Sequence, residues 1–166
     1  MADKSTDLVV LRLINPRGLT AIELGDSDGL LVGDLVLAIG NPFAIGQSIA
    51  NGIVSGLSQS ILRGSANSGY FVQTDAPINP GNSGVALVDM SGKLIGINTS
   101  IFTKLSGSNG IGFAIPANHV AKYVEQAKSG KPVFARPWAG IEVQDINQSI
   151  ANALHMRHPV ALLASR

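Results

Sequence analysis

Short β-branched segments, each closed by a cluster of Gly, Asn, Asp or Ser, recur along most of the 166 residues, and this rhythm limits the chain to a barrel or sandwich of antiparallel strands. The spacing predicts strands over Leu8 to Ile14, Thr20 to Leu24, Leu35 to Gly40, Ser48 to Leu57, Tyr70 to Thr74, Val85 to Val88, Leu94 to Thr99 and Ile111 to Ile115. Turns are expected at Asn15-Pro16-Arg17-Gly18, at Ser91-Gly92 and over Ser106 to Gly110, where Gly or Asn accepts a positive φ. One helix is expected from His119 to about Lys128. Asn118 would be its N-cap, Val120, Tyr123, Val124 and Ala127 would share one face, and Gly130 would stop it.

Composition removes several classes. Hydrophobic residues make up 45% of the chain and the net charge is +1, which excludes a disordered chain. Twelve basic residues against eleven acidic ones leave no excess to displace counterions, so nucleic acid is not an expected partner. Without Cys there is no disulfide framework, no thiolate nucleophile and no Cys-ligated zinc. Apolar stretches are interrupted by Gly and Asp well before the roughly 20 residues of a membrane helix, so no membrane span is expected. Met-Ala-Asp-Lys does not read as the start of a signal peptide.

The segment Lys131 to Pro137 carries two prolines and reads as a linker, with a boundary near Arg136. The thirty residues beyond it are too few for an independent core without a staple.

Chemistry is concentrated at Asn79-Pro80-Gly81-Asn82-Ser83-Gly84. A nucleophilic serine needs a tight turn that exposes its hydroxyl, with backbone N–H groups nearby for the developing oxyanion. Glycines on both sides of Ser83 permit that, although the same residues also make an ordinary polar turn.

Extended upstream, Phe71-Val72-Gln73-Thr74-Asp75-Ala76-Pro77-Ile78-Asn79-Pro80-Gly81-Asn82-Ser83-Gly84 closely resembles the nucleophile region of the HtrA (Deg) serine proteases. Ala38-Ile39-Gly40-Asn41-Pro42-Phe43, Asn51-Gly52-Ile53-Val54-Ser55, Leu94-Ile95-Gly96-Ile97-Asn98-Thr99 and Gly110-Ile111-Gly112-Phe113-Ala114-Ile115-Pro116 resemble further signatures of that family, in family order. The resemblance covers residues 3 to about 134. It implies a mostly β, chymotrypsin-like fold of two barrels with the site between them, followed by PDZ modules.

Position by position, the resemblance implies Ser83 as nucleophile, the N–H groups of Gly81 and Ser83 as oxyanion hole, and Asp7 as the carboxylate that orients a catalytic His. Read alone, Asp7 is a solvated carboxylate at a strand start. Pro77 and Ile78 precede the nucleophile where the specificity pocket lies in such enzymes. With no carboxylate there, small or medium apolar side chains are the expected preference, and Ile78 reads equally well as core.

Two departures qualify the resemblance. The barrel-protease order is His, Asp, Ser, and none of the six residues before Asp7 is His. Val85 stands where the family has Gly, and a β-branched residue there could crowd the turn. His119 lies near a helix N-terminus, which lowers its basicity, and His155 and His158 lie beyond the linker.

The expected organisation is therefore a remnant of a first, truncated barrel over 1–26, a complete second barrel with its helix over 27–134, and a linker with an incomplete PDZ-like segment over 135–166. In the last, Trp138 to Val143 resembles the entering strand, Ser149 to Leu154 a short helix, and Val160 to Ala164 the peptide-capturing strand, preceded by His158-Pro159 where the family has Gly. The resemblance implies acyl transfer on unfolded polypeptides in a bacterial periplasm or cell envelope, with no metal or organic cofactor. For this chain the expectations are near-inertness without the His, or a catalytically dead peptide-binding or scaffolding module. The apolar strand Leu8 to Ile14, deprived of partners, is expected to promote self-association.

Overall fold

The computed structural model describes residues 1–3, 6–41, 46–60, 70–79, 81–99, 109–130, 133–135, 142–146, 148–156 and 162–165. Pro42, Phe43, Pro80, the turn residues from 106 to 108, the boundary at Arg136, Trp138 to Ile141, His158 to Ala161 and Ser5 lie outside the described residues. The chain forms two compact units, Met1–Phe134 and Ala135–Arg166.

The first unit is built on a closed six-stranded antiparallel barrel. Its strands are β3 (Leu35–Gly40), β4 (Ser48–Ser60), β5 (Tyr70–Thr74), β6 (Ala86–Asp89), β7 (Leu94–Thr99) and β8 (Gly112–Pro116), in the order β3-β4-β5-β8-β7-β6. Closure satisfies every sheet edge and leaves alternate side chains pointing inward. Val36 and Ala38 of β3, Val54, Val72, Leu87, Ile95 and Ala114 fill that interior. β4 runs past the expected end at Leu57, and its pairing with β5 slips at Val54/Gly56 and Gly56/Gln59, bulges that bend so long a strand around the barrel.

The β6–β7 turn forms at Ser91-Gly92 as expected. Asp89 Oδ1 accepts from Ser91 N–H at 2.9 Å, Ser91 Oγ at 2.7 Å and Lys93 N–H at 2.9 Å, and Gly92 takes φ +80°.

A second apolar cluster lies outside the barrel wall. Phe71 and Phe113 meet edge to face at 6.5 Å beside Ile115, and Leu8 and Val120 pack against them. Val120 belongs to α1 (Ala117–Lys128), which starts two residues before the expected position. Asn118 is not the N-cap. Pro116 holds that place with no side-chain cap, and the Asn118 N–H instead donates to Ser27 Oγ at 3.1 Å. The Asn118 carboxamide donates to Asp26 at 2.8 Å, so a 3-10 turn at Ser27–Gly29 caps the helix from across the chain. Gly130, at φ +77°, ends the helix region as expected.

The N-terminal strands differ from expectation. Only β2 (Leu8–Val9) forms from Leu8 to Ile14, paired antiparallel with β1 (Ala2–Asp3). Thr20 to Leu24 is not a strand; Leu24 makes a single bridge to Leu94. A strand requires a run of hydrogen-bonded neighbours, and here the pairing is confined to one residue: Leu94 N–H donates to Glu23 O and Gly25 N–H to Leu94 O, each at 2.8 Å. The intervening turn does appear, with Asn15 at φ +55° and Gly18 at φ +65°.

In the second unit β9 (Glu142–Asp145) pairs antiparallel with β10 (Leu162–Ser165), and α2 (Gln148–Ala153) lies between them in sequence. Among the described residues of this unit, Ala151 and Ile146 are buried.

Candidate active site

The turn that follows β5 presents one serine and buries its neighbour. Asn82 N–H donates to Asn79 O at 2.9 Å, Gly81 takes φ +99° and Gly84 takes φ +81°, conformations that suit glycine. Gly84 N–H donates to Asn98 O at 2.7 Å and Asn98 N–H to Val85 O at 2.9 Å, which fastens the far side of the turn to β7. Ser83 is left exposed at the apex. Among the described residues, neither the Gly81 nor the Ser83 N–H makes a hydrogen bond. Val85 takes no positive φ and joins the β7 ladder, so its β-branch is compatible with the backbone there.

Asn82 turns inward and is only 3% exposed. Its amide lies 3.4 Å from Pro77 O, and its Oδ1 has no partner among the described residues. The carboxamide occupies the space that a side chain on Gly40 would take: a Cβ there would collide with Asn82 Oδ1 and stand 3.2 Å from Val85 Cγ2. Two separate signatures of the sequence are thus in contact, one seating the other.

Asp7 is brought to the same place by a different route. It sits in the turn between β1 and β2 at φ +56°, a conformation that Asp tolerates better than most residues. The next residue, Leu8, is anchored in the Phe71–Phe113 cluster. A cleft of about 490 Å³ is lined by Asp7, Leu8, Leu11, Ser83, Asn98 and Tyr123, among others. Both residues assigned to the catalytic machinery by resemblance therefore face one cleft.

Tyr123, expected on one helix face with Val120, Val124 and Ala127, is buried but not purely apolar in its contacts. Its hydroxyl donates to Asp3 Oδ2 at 2.6 Å, and Thr6 Oγ1 lies 3.0 Å from that oxygen and 2.9 Å from Tyr123 Oη. Its ring stacks on Phe134 at 3.7 Å. Helical spacing in the sequence could place this ring inward; nothing in the spacing placed its hydroxyl beside the Asp7 turn.

Pro77 is exposed and Ile78 is buried in the barrel core, and neither lines the cleft. Of the histidines, His119 lines a separate cavity of about 250 Å³ with Asp28 and Tyr70. Burial lowers its pKa below the ordinary imidazole value and the Lys122 ammonium lowers it further, against the opposing Asp28. Among the described residues no group of three or more His, Asp or Glu side chains is placed to hold a metal ion, and no helix is long and apolar enough to cross a membrane.

A serine at the apex of a glycine turn, on a closed antiparallel barrel with a C-terminal helix, defines a trypsin-like peptidase domain. The profile of the trypsin-like peptidase domain matches residues 1–97, and the chain belongs to that family, within its HtrA (Deg) group. It is 46% identical over 152 residues to the periplasmic serine endoprotease DegP of Escherichia coli K12, covering 92% of this chain and 32% of that protein. It is 45% identical over 157 residues to the periplasmic pH-dependent serine endoprotease DegQ of the same organism, covering 93% and 34%. A solved structure, HtrA-type protease AlgW with a decapeptide, superposes with a TM-score of 0.77 at 45% identity, covering 99% of this chain and 50% of that one. The chain spans about a third of the length of the curated relatives it matches.

Proposed function

We propose that this chain is the nucleophile-bearing part of a periplasmic serine endopeptidase acting on unfolded polypeptides. The observation that carries the reading is the exposed Ser83, held on a glycine turn and facing the cleft it shares with Asp7. Ser83 Oγ would bond to the scissile carbonyl carbon, the C–N bond would break, and the amine would leave with the serine proton; water would then release the acyl group. The N–H groups of Gly81 and Ser83, unpaired among the described residues, would stabilise the tetrahedral oxyanion, and Asp7 would orient the imidazole base. Residues 1–26, 27–134 and 135–166 would be the first-barrel remnant, second barrel and PDZ-like segment.

No histidine among the described residues lines the cleft, so the 166 residues by themselves are expected to be nearly inert. In subtilisin, loss of the catalytic imidazole costs about 10⁶ in kcat. The same observation favours the second reading, a module that binds peptides without cleaving them.

The test is to treat the chain with a fluorophosphonate, which bonds to a serine oxygen with loss of fluoride, and to weigh the adduct with and without free imidazole as a surrogate base. Labelling should depend on imidazole and vanish in Ser83→Ala. Labelling that survives Ser83→Ala removes the assigned nucleophile, and peptide hydrolysis without imidazole, lost in Ser83→Ala, overturns the inertness.

Self-association is supported by the exposed apolar side chains of Leu11, Leu13, Ile14 and Leu19, with Ile14 90% exposed. Light scattering should report a mass above the 17.2 kDa monomer. A strict monomer would count against this part of the reading.

A further inference from the structure

The hairpin that carries Asp7 has two residues in each strand, too little to hold its own shape in water. Its place in the cleft must come from what it touches. On the apolar side Leu8 is packed against the aromatic cluster. On the polar side, the contact comes from α1: Tyr123 Oη donates to Asp3 Oδ2 at 2.6 Å, and the Thr6 hydroxyl shares its proton between that carboxylate and Tyr123 Oη. A hydroxyl donating to a carboxylate at this distance is a charge-assisted bond.

The three groups bracket the turn. Asp3 is the Cα partner of Leu8 in the hairpin register, and Thr6 immediately precedes Asp7. A hydroxyl that ties both together fixes the entry and exit of the loop in which Asp7 takes φ +56°. The hydroxyl is itself a fixed point. Tyr123 is 4% exposed and its ring lies within 12° of parallel on Phe134, and its helix is docked at Asn118 on Ser27 and Asp26.

We infer that Tyr123 is a positioning residue: through Asp3 and Thr6 its hydroxyl holds the Asp7 turn in the orientation that lines the cleft shared with Ser83. The inference rests on the reading of Ser83 and Asp7 given above, and it deepens that reading by extending the site to a residue on α1.

Tyr123→Phe removes the hydroxyl and keeps the ring stack, so a role in packing alone predicts no change at Asp7. Two readouts on the 166-residue chain test it. A positive φ brings Hα close to the amide hydrogen of the same residue, so the intraresidue Hα–HN NMR cross-relaxation of Asp7 should fall about twofold or more in Tyr123→Phe as the turn samples other conformations. The barrel amides should be unchanged. In the second readout, imidazole-dependent phosphonylation of Ser83 should drop about tenfold. Asp7→Asn should lower it comparably, and the double variant should fall no further than Asp7→Asn alone. Thr6→Val, which cuts the same knot from the turn side, should reproduce both effects and serves if Tyr123→Phe perturbs folding.

An Asp7 signal unchanged in both variants overturns the inference, as does full additivity in the double variant. If Asp7→Asn slows labelling and Tyr123→Phe does not, the site assignment stands and the positioning role falls. If the turn loosens but Asp7→Asn leaves labelling untouched, Asp7 has no part in the chemistry and the inference falls with that reading.

Discussion

Gly52→Ala is expected to lower the unfolding free energy by about 3 kcal/mol, the upper part of the range for forcing volume into a packed site. A Cβ on Gly52 would stand 2.5 Å from Asp75 Oδ1 and 2.6 Å from Ala76 Cα, and would collide with Ala76 N. Most of these are backbone atoms, which cannot swing aside as a side-chain tip can. Neither strand of the barrel can retreat on its own: Gly52 is in register with Val36 of β3, while Asp75 binds β4 through the Ile53 N–H at 2.7 Å. Thr74, fully buried, accepts the Ala76 N–H at 3.1 Å and holds the other flank. Urea unfolding followed by circular dichroism reads the effect. A free energy within half a kcal/mol of the unsubstituted chain would show that the backbone has slack here. Because Asp75 and Ala76 begin the loop that carries Ser83, the variant should also slow Ser83 labelling under folding conditions.

How far the sequence reports this architecture depends on whether a segment's environment is local or distant. β3, β5 and β7 have the bounds expected from their residues, runs rich in β-branched, aromatic and other apolar side chains that suit a pleated, half-buried surface. Leu8 to Ile14 is as apolar as those strands, yet only Leu8–Val9 forms one, because pairing requires a neighbour and composition does not show whether one is present. Asn118 has an N-cap side chain and still sits inside α1, because Ser27, about ninety residues away in sequence, supplies the acceptor. The Ser83 turn was legible from its glycines. That Asn82 would point inward and Ser83 outward was not, since both are small polar residues. Gly40, whose missing side chain decides the matter, is 42 residues upstream. Tyr123 was legible as buried from helical spacing, but spacing carries no information about the partner of a phenol oxygen.

The Gly40 cradle leads to the other large effect, on reactivity more than on stability. In Gly40→Ala the new methyl would occupy the position of Asn82 Oδ1 and stand 3.2 Å from both Asn82 Cγ and Val85 Cγ2. The carboxamide, already without a partner at Oδ1 among the described residues, must leave its seat, and the turn must move with it, since Asn82 lies between Gly81 and Ser83. Both proposed oxyanion donors shift together. A displacement near 1 Å in a reacting group costs about a hundredfold, so imidazole-dependent labelling of Ser83 should fall by about that factor. Stability should drop by only about 1–2 kcal/mol, because the turn is exposed and can yield where the barrel cannot. Asn82→Ala in the Gly40→Ala background vacates the contested space and should recover part of the labelling, a non-additive pair of the kind expected for residues in contact. If Gly40→Ala labels at the original rate, or if the second substitution recovers nothing, the seat of Asn82 is not what holds Ser83 in place. Partial recovery would show that the motif around residue 40 and the motif around residue 83 act as one piece of machinery, with a glycine in the first shaping the serine turn in the second.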